Sequence, residues 1–270
     1  MTAGEKVSII MPSYNAEEFI TASIASVIEQ TFEDWELLIC DDFSTDRTLE
    51  KIKSLSKNDK RIKICRNKFS KGAAGARNTA LEQASGRYIA FLDADDKWLP
   101  EKLEKQVSFM KTNCVKFCYS YYNNINTRDE VLSEVRCPKS VNFKLLLVSN
   151  FIPCLTAIYD TKFIKKVKQP DIKKRNDFAL WLKMFQSESQ LKGHCIPEVL
   201  ASYRVNSYGL SSNKLDAIKY YYLCVRTYGR QGRMKAVFFT SCAVILKIFK
   251  ARFPKLYNRV TILISVGTSK

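Results

Sequence analysis

Short apolar blocks alternate along the chain with stretches of helical periodicity. Val7–Met11, Trp35–Cys40, Ile62–Cys65 and Tyr88–Leu92 are brief, β-branched or aromatic runs, which predicts four buried strands. The first stops at Pro12. Between them, Phe19, Ile20, Ile24, Val27 and Ile28 recur at helical spacing, and Ser44-Thr45-Asp46 starts a second helix that runs to Leu55. Lys68–Gly75 reads as a basic, glycine-containing loop and Ala76–Ala84 as an alanine-rich helix. Residues 7–92 thus alternate β, α, β, α, β, α, β, which predicts a mostly parallel α/β sheet with helices on both faces.

The second half is less regular. Pro100–Met110 predicts a helix, Phe117–Tyr122 a central aromatic strand, and residues 123–142 a polar loop or weak hairpin. Phe143–Ser149 is helix-compatible, and Cys154–Tyr159 predicts a strand. Asn176 or Asp177 caps a helix whose apolar face includes Phe178, Trp181, Leu182 and Phe185. Pro197–Val205 predicts an edge strand and residues 206–212 a polar loop. Helices are predicted over 215–228 and 234–249. The second of these has an apolar run flanked by lysine and arginine, compatible with an interfacial helix or with a packed one.

The chemistry gathers at strand ends. Asp41-Asp42 closes the second strand, and Asp93-Ala94-Asp95-Asp96 closes the fourth. Ligands of open α/β sheets bind at the carboxyl edge, so both acid groups point to one pocket. Asp93 and Asp95, two residues apart, could chelate a hard cation that also takes phosphate oxygens. A cation would relieve the repulsion among the three acids. An acidic turn with Asp96 capping the following helix is the alternative. Asp177, at a helix start, is suited to accept a proton from an incoming hydroxyl, a role compatible with capping.

Charge and cysteine usage narrow the classes. The net charge is +17, and residues 191–270 carry 14 Lys and Arg against Glu198 and Asp216. That asymmetry favours an anionic partner such as nucleic acid, phosphates or an acidic membrane. Nine scattered cysteines without a C-x-x-C pair, and a single histidine, His194, argue against zinc and for a reducing cytosol. Residues 1–6 predict no secretory leader, and no apolar run reaches membrane-spanning length.

Taken together, the motifs resemble the family-2 inverting glycosyltransferases of bacterial surface-polysaccharide synthesis, of the O-antigen and teichuronic-acid type. The resemblance rests on Val7–Asn15, Gln30-Thr31, Asp41–Asp46, Gly72–Asn78, Asp93–Asp96, Asn176–Leu182 and, more loosely, Tyr203–Ser212, in family order. It implies the GT-A fold, a Rossmann-like mixed sheet, over residues 1–212, with a nucleotide-sugar half to about residue 98 and an acceptor half from 99. Residues 213–270 would then be a basic helical extension.

The resemblance further implies a UDP-sugar donor, Mn²⁺ or Mg²⁺, and inverting transfer of a hexose or N-acetylhexosamine to a glycan on a polyprenyl-diphosphate lipid. Tyr14 would stack on uracil and Asp42 would bond its edge, beside Asp41. Pro12, Arg77, Asp93 and Ala94 would also line the nucleotide sugar. Asp95, with Asp93, would hold the metal, and Asp177 would be the general base. Asp96, Trp181, Tyr203 and Arg204 are acceptor-side candidates. Family members more often carry glutamate where Asn176 stands, so one carboxylate is missing from the acceptor side. The basic extension would rest on an anionic membrane, placing the protein peripherally on the cytoplasmic face. A nucleotidyltransferase is the alternative enzyme, but Pro12-Ser13-Tyr14-Asn15 stands where its phosphate loop would be. A nucleic-acid binder fits the charge but not an acid-lined sheet edge, so no nucleic-acid partner is expected.

Overall fold

The structure, a computed structural model, describes residues 4–188, 190–205, 214–253 and 256. Three βα units build its first half: β1 (Val7–Ser13), α1 (Ile20–Ile28), β2 (Trp35–Asp41), α2 (Thr48–Asn58), β3 (Ile62–Arg66) and α3 (Ala73–Gln83). Then come β4 (Tyr88–Phe91), the two-residue β5 (Lys97–Trp98), α4 (Lys102–Thr112), β6 (Phe117–Ile125), β7 (Val131–Val135), β8 (Ser140–Val141) and α5 (Phe143–Val148). The chain continues through β9 (Ile158–Asp160), α6 (Asn176–Ser187), β10 (Gly193–Arg204), α7 (Lys214–Leu223) and α8 (Arg233–Arg252).

The strands form one sheet in the order β3-β2-β1-β4-β9-β6-β10-β5, with β7 on β6 and β8 on β10. β3, β2, β1 and β4 run parallel, and β9 enters antiparallel between β4 and β6. The strand order reverses between β1 and β4. Such a switch point leaves a crevice outside the carboxyl ends.

Alternation along the strands divides the core in two. Ile9, Met11, Leu37, Ile39, Tyr88 and Ala90 face α1, α2 and α4, packing on Ile20, Ile24, Ile52, Leu103 and Val107. Ile10, Leu38, Cys40, Ile89 and Phe91 face α3 and α6. Tyr221, Cys224, Val225 and Ala236, from α7, the turn after it and α8, join that second cluster. The period of two in the strands and the helical spacing of Ile20, Ile24 and Val27 are what the sequence displays.

Several boundaries differ from the sequence expectation, each for a local reason. β1 continues through Pro12 to Ser13, paired with β2 throughout. α3 begins at Ala73, so Gly75 lies in the helix and not in the loop before it. Lys97–Trp98 pairs antiparallel with β10, which delays α4 to Lys102 and leaves Asp96 without a capping role. Of the two alternatives for the polar stretch after residue 122, the hairpin is the one formed, with β6 extending to Ile125 and pairing with β7. Cys154–Thr156 is a single 3₁₀ turn, so the strand there is only Ile158–Asp160. β10 starts at Gly193 and is no edge strand: β6 flanks it on one side, β5 and β8 on the other. Its register shifts around Pro197, which lacks an N–H to donate. Neither Asn176 nor Asp177 caps α6; Arg175 precedes it in a left-handed conformation, φ 63°. α7 ends at Leu223 and passes into a π turn over Cys224–Tyr228. The predicted loop at 206–212 lies outside the described residues.

The amino ends of the strands are tied by a buried carboxylate. Glu36 Oε1 accepts from Ser8 Oγ and from the amide and hydroxyl of Ser85, all at 2.7 Å, and Oε2 accepts from Lys63 Nζ at 2.6 Å. One side chain thus joins β1, β2, β3 and the turn into β4. Burial would raise its pKa, but Lys63, Ser8 and Ser85 together hold it well below the usual carboxylate range. Its stabilisation is therefore full above the ordinary glutamate pKa and is lost as pH falls toward the folded value. Glu36→Ala is expected to cost about 1–3 kcal/mol, because it leaves Ser8 and Ser85 without their acceptor while the half-exposed Lys63 can hydrate. Its melting temperature, followed by calorimetry between about pH 6 and pH 3, should change less than that of the wild type.

Candidate active site

The loops after β1 and β2 are bonded to each other. Asn15 Oδ1 accepts from Thr45 N at 2.8 Å, and Ser44 Oγ accepts from Asn15 N at 3.1 Å. Asp41 is buried and accepts from the amide and hydroxyl of Ser44. Asp42 is buried too, and its two oxygens accept from Asn67 Nδ2 at 2.6 Å and Gly72 N at 2.7 Å. The Asp42 carboxylate thus seats the Asn67–Gly72 loop. Tyr14 is half exposed, with the Lys71 ammonium 4.9 Å from its ring centroid. Pro12 is buried within β1, opposite Cys40.

Gly75 lets that loop pack against α3. A Cβ there would stand 2.0 Å from Ser70 O. Two residues on, Arg77 is buried, pairs with Asp93 and donates to Gln169 Oε1 at 3.2 Å. Burial works against its charge, but Asp93, Cys154 and Asp177 outweigh this and push its pKa up. Arg77 Nε and Gln169 Nε2 are buried donors without an acceptor among the described residues.

The acid motif forms a tight turn, with Asp96 N donating to Asp93 O at 3.1 Å. Asp93 is one-third exposed. Burial, and then the Asp93 charge, push the Asp95 carboxyl up to about 6. Asp96 is almost fully buried, and burial with Asp95 and Asp93 drives its pKa well upward. The Ala94 carbonyl accepts from Ser23 Oγ at 2.8 Å, which anchors the turn to α1.

Asp177 lies in the first turn of α6, half buried, with Asn150 Nδ2 donating to its Oδ2 at 2.9 Å. Asn176 donates to Ile172 O at 3.0 Å and braces the preceding loop. Tyr203 shows that the parts converge. Burial, followed by Asp96, Asp95, Asp93 and Asp177, pushes its hydroxyl up to about 12. Four carboxylates from two distant parts of the chain therefore act on one phenol.

Among the acceptor-side candidates, only Tyr203 faces solvent; it is 45% exposed. Trp181 is fully buried, its indole N–H donating to Ile152 O at 3.1 Å and its ring edge-on to Phe91 and Phe117. It belongs to the core. Arg204 and Asp96 are likewise internal, and Arg204 N donates to Asp96 Oδ1 at 2.9 Å. Sequence reasoning missed Asn67, Asn150, Cys154 and Gln169, which carry no motif of their own.

Among the described residues, no group of three or more His, Cys, Asp or Glu side chains is set to hold a metal. The donor set fits a hard cation nonetheless, provided phosphate oxygens and water complete its shell. Asp95 beside Asp93 is a carboxylate pair whose repulsion a cation would relieve. Two open recesses, of about 380 and 500 Å³, lie against α4, both lined by Phe109 and Asn113, and contain none of these acids.

The chain matches Glycosyl transferase family 2 over residues 8–167. It is 44% identical over 213 residues to UDP-Glc:alpha-D-GlcNAc-diphosphoundecaprenol beta-1,3-glucosyltransferase WfgD of Escherichia coli, covering 79% of this chain and 82% of WfgD. WfaP of Escherichia coli, which bears the same activity name, is 40% identical over 215 residues, 79% of this chain and 83% of that one. TuaG of Bacillus subtilis, named for teichuronic acid biosynthesis, is 38% identical over 231 residues, 85% and 91%. Among solved structures, S. aureus TarS 1–349 in complex with UDP-GlcNAc superposes with a TM-score of 0.67 at 19% identity, covering 97% of this chain and 80% of that one. The mannosyltransferase PcManGT from Pyrobaculum calidifontis gives 0.66 at 16% identity, covering 100% and 77%. The two structures share the fold.

Gly75→Ala tests the packing at the nucleotide end. Alanine for glycine inside a helix ordinarily stabilises by about 1 kcal/mol. Here the clash with Ser70 is expected to reverse the sign, costing roughly 1–3 kcal/mol in urea unfolding. A stabilised variant would mean that the Asn67–Gly72 loop yields freely.

Proposed function

The chain belongs to glycosyltransferase family 2, and we propose that it moves a hexose from a UDP-sugar, with inversion, onto a hydroxyl of a polyprenyl-diphosphate-linked glycan. The observation that carries the reading is Asp177, a half-buried carboxylate oriented by Asn150 and electrostatically joined to Arg77 and Tyr203. Inverting transfer needs one base on the acceptor side, and one carboxylate suffices. Asp177 takes the proton of the acceptor hydroxyl as it attacks the anomeric carbon. The carbon–oxygen bond to UDP breaks on the opposite face, so an α-linked donor gives a β-linkage. Arg77 faces the growing negative charge of the leaving diphosphate. Asp95 and Asp93 would hold a divalent ion, Mn²⁺ or Mg²⁺, which when bound would supply further charge neutralisation there. Tyr14 supports the uracil ring, and Tyr203 lies where the acceptor approaches. Residues 1–212 form the catalytic unit in this reading.

WfgD and WfaP are both named for UDP-glucose and an N-acetylglucosamine diphosphoundecaprenol acceptor. At 44% and 40% identity they make glucose the first sugar to test, and that lipid the first acceptor. Asp177→Asn is expected to slow transfer by roughly 10²–10⁴-fold while UDP affinity, read by calorimetry, stays nearly unchanged. Asp95→Ala should lose the part of UDP affinity that depends on metal. Transfer by Asp177→Asn at the wild-type rate would remove the base assignment.

A lipid-borne acceptor requires approach to a membrane. No described helix is long and apolar enough to cross one. α8, however, turns Met234, Val237, Phe238, Ile245 and Ile248 toward solvent along one stripe, with Arg233, Lys235, Lys247 and Arg252 on the same helix. An apolar stripe with basic neighbours suits the surface of an anionic bilayer on the cytoplasmic side. The wild type is expected to co-sediment with phosphatidylglycerol vesicles. Replacing Phe238 and Ile245 together by Asp should weaken this by about tenfold or more. A wild type that ignores such vesicles contradicts the assignment of this face.

A further inference from the structure

Arg204, the last residue of β10, has a side chain that is 1% exposed. Its Nε donates to Asp95 O at 2.8 Å, and its amide donates to Asp96 Oδ1 at 2.9 Å. Its other nitrogens reach away from the acid turn. Nη1 donates to Asn126 O at 2.7 Å, and Nη2 to Asp129 Oδ1 at 2.6 Å. Asn126 and Asp129 belong to the turn between β6 and β7. Lys97, immediately after the acid turn, donates to the second oxygen of Asp129 at 3.0 Å. Asp129 therefore receives two cations, both fixed to the segment 95–97.

We propose that Asp129 is a positioning residue for the acid turn: by holding Arg204 and Lys97 it fixes the main chain that carries Asp95. This rests on the reading of Asp95 as a metal ligand. The turn around Asp129 is built for the task. Asn126 Oδ1 accepts from the amides of Arg128 and Glu130 at 2.9 and 3.0 Å, and Asp129 is held left-handed at φ 64°. Burial would raise the Asp129 carboxyl, but Lys97 and Arg204 prevail and hold it below its ordinary value. The side chain is 44% exposed, so it adds little to core packing.

Removal of Asp129 has a defined consequence. A buried guanidinium that loses its carboxylate is left with carbonyl acceptors and an uncompensated charge. The Asp95 and Asp96 carboxylates already feel its charge. Arg204 would then compete with a cation for Asp95, and the turn would lose its clamp. Partners that orient a metal ligand in this way typically change metal affinity by about 10–100-fold when lost.

The test compares wild type, Asp129→Ala and Asp129→Glu by hydrogen exchange and by UDP calorimetry with Mn²⁺ or with EDTA. In Asp129→Ala, amides in 93–98 and 126–135 should exchange faster while the rest of the sheet keeps its protection. The Mn²⁺-dependent gain in UDP affinity should fall roughly tenfold, and UDP affinity in EDTA should not move. Asp129→Glu should recover part of both effects. Unchanged exchange at 93–98 in Asp129→Ala would overturn the proposal, as would faster exchange across the whole sheet, which marks a merely structural role. If the wild type binds UDP equally with Mn²⁺ and EDTA, the metal reading of Asp95 fails, and the exchange at 93–98 still decides the role of Asp129.

Discussion

Asp93, Asp95, Asp96 and Asp177 crowd one end of a buried sheet, and two largely buried arginines answer them. Arg77 pairs with Asp93 and feels Asp177; Arg204 holds the Asp95 carbonyl and the Asp96 carboxylate. Like charges brought together out of water are costly unless cations or hydrogen bonds compensate them. The compensation is incomplete. Asp95 is pushed up to about 6, and Asp96 well above its ordinary value. In the proposed reading this residual repulsion would make the carboxyl end of β4 receptive to a cation.

The opposite end of the sheet is organised differently. Glu36 gathers Ser8, Lys63 and Ser85 at the amino ends of the strands, where its charge is satisfied by hydrogen bonds and its pKa falls. The same residue type thus behaves in opposite ways at the two ends. At one end a single carboxylate has many donors and contributes stability. At the other, several carboxylates lie together, and Asp95 and Asp96 are pushed upward. The parallel strands join the ends: β1, β2 and β4 carry the Glu36 network near their starts and the loops of Tyr14, Asp42 and Asp93 beyond their ends.

The first half of the chain was legible because its signals are local. Strand runs, helical spacing and acids at strand ends each occupy a few consecutive residues. The convergence of Asp93–Asp96 with Asp177 was legible only through the ordered set of motifs that resembles a family. Burial in the second half was not. Trp181 and Arg204 sit in motif positions, yet one fills the core between Phe91 and Phe117 and the other is a buried clamp, outcomes decided by packing from elsewhere in the chain. Asn150 and Gln169 bond Asp177 and Arg77 from loops of ordinary composition, so nothing local marks them. β5 and β9 are two and three residues long, and sheet pairing alone defines them.

The central claim is that this end of the sheet transfers sugar from a UDP donor, and UDP release tests it most directly. Release of the nucleoside diphosphate would be followed for a panel of UDP-sugars, UDP-glucose first, and for a GDP-sugar, in Mn²⁺ or EDTA, with and without an N-acetylglucosamine diphosphate lipid. The account predicts release from one UDP-sugar that needs metal and rises with the acceptor. Release from a GDP-sugar and from no UDP-sugar, under the same conditions, would contradict it.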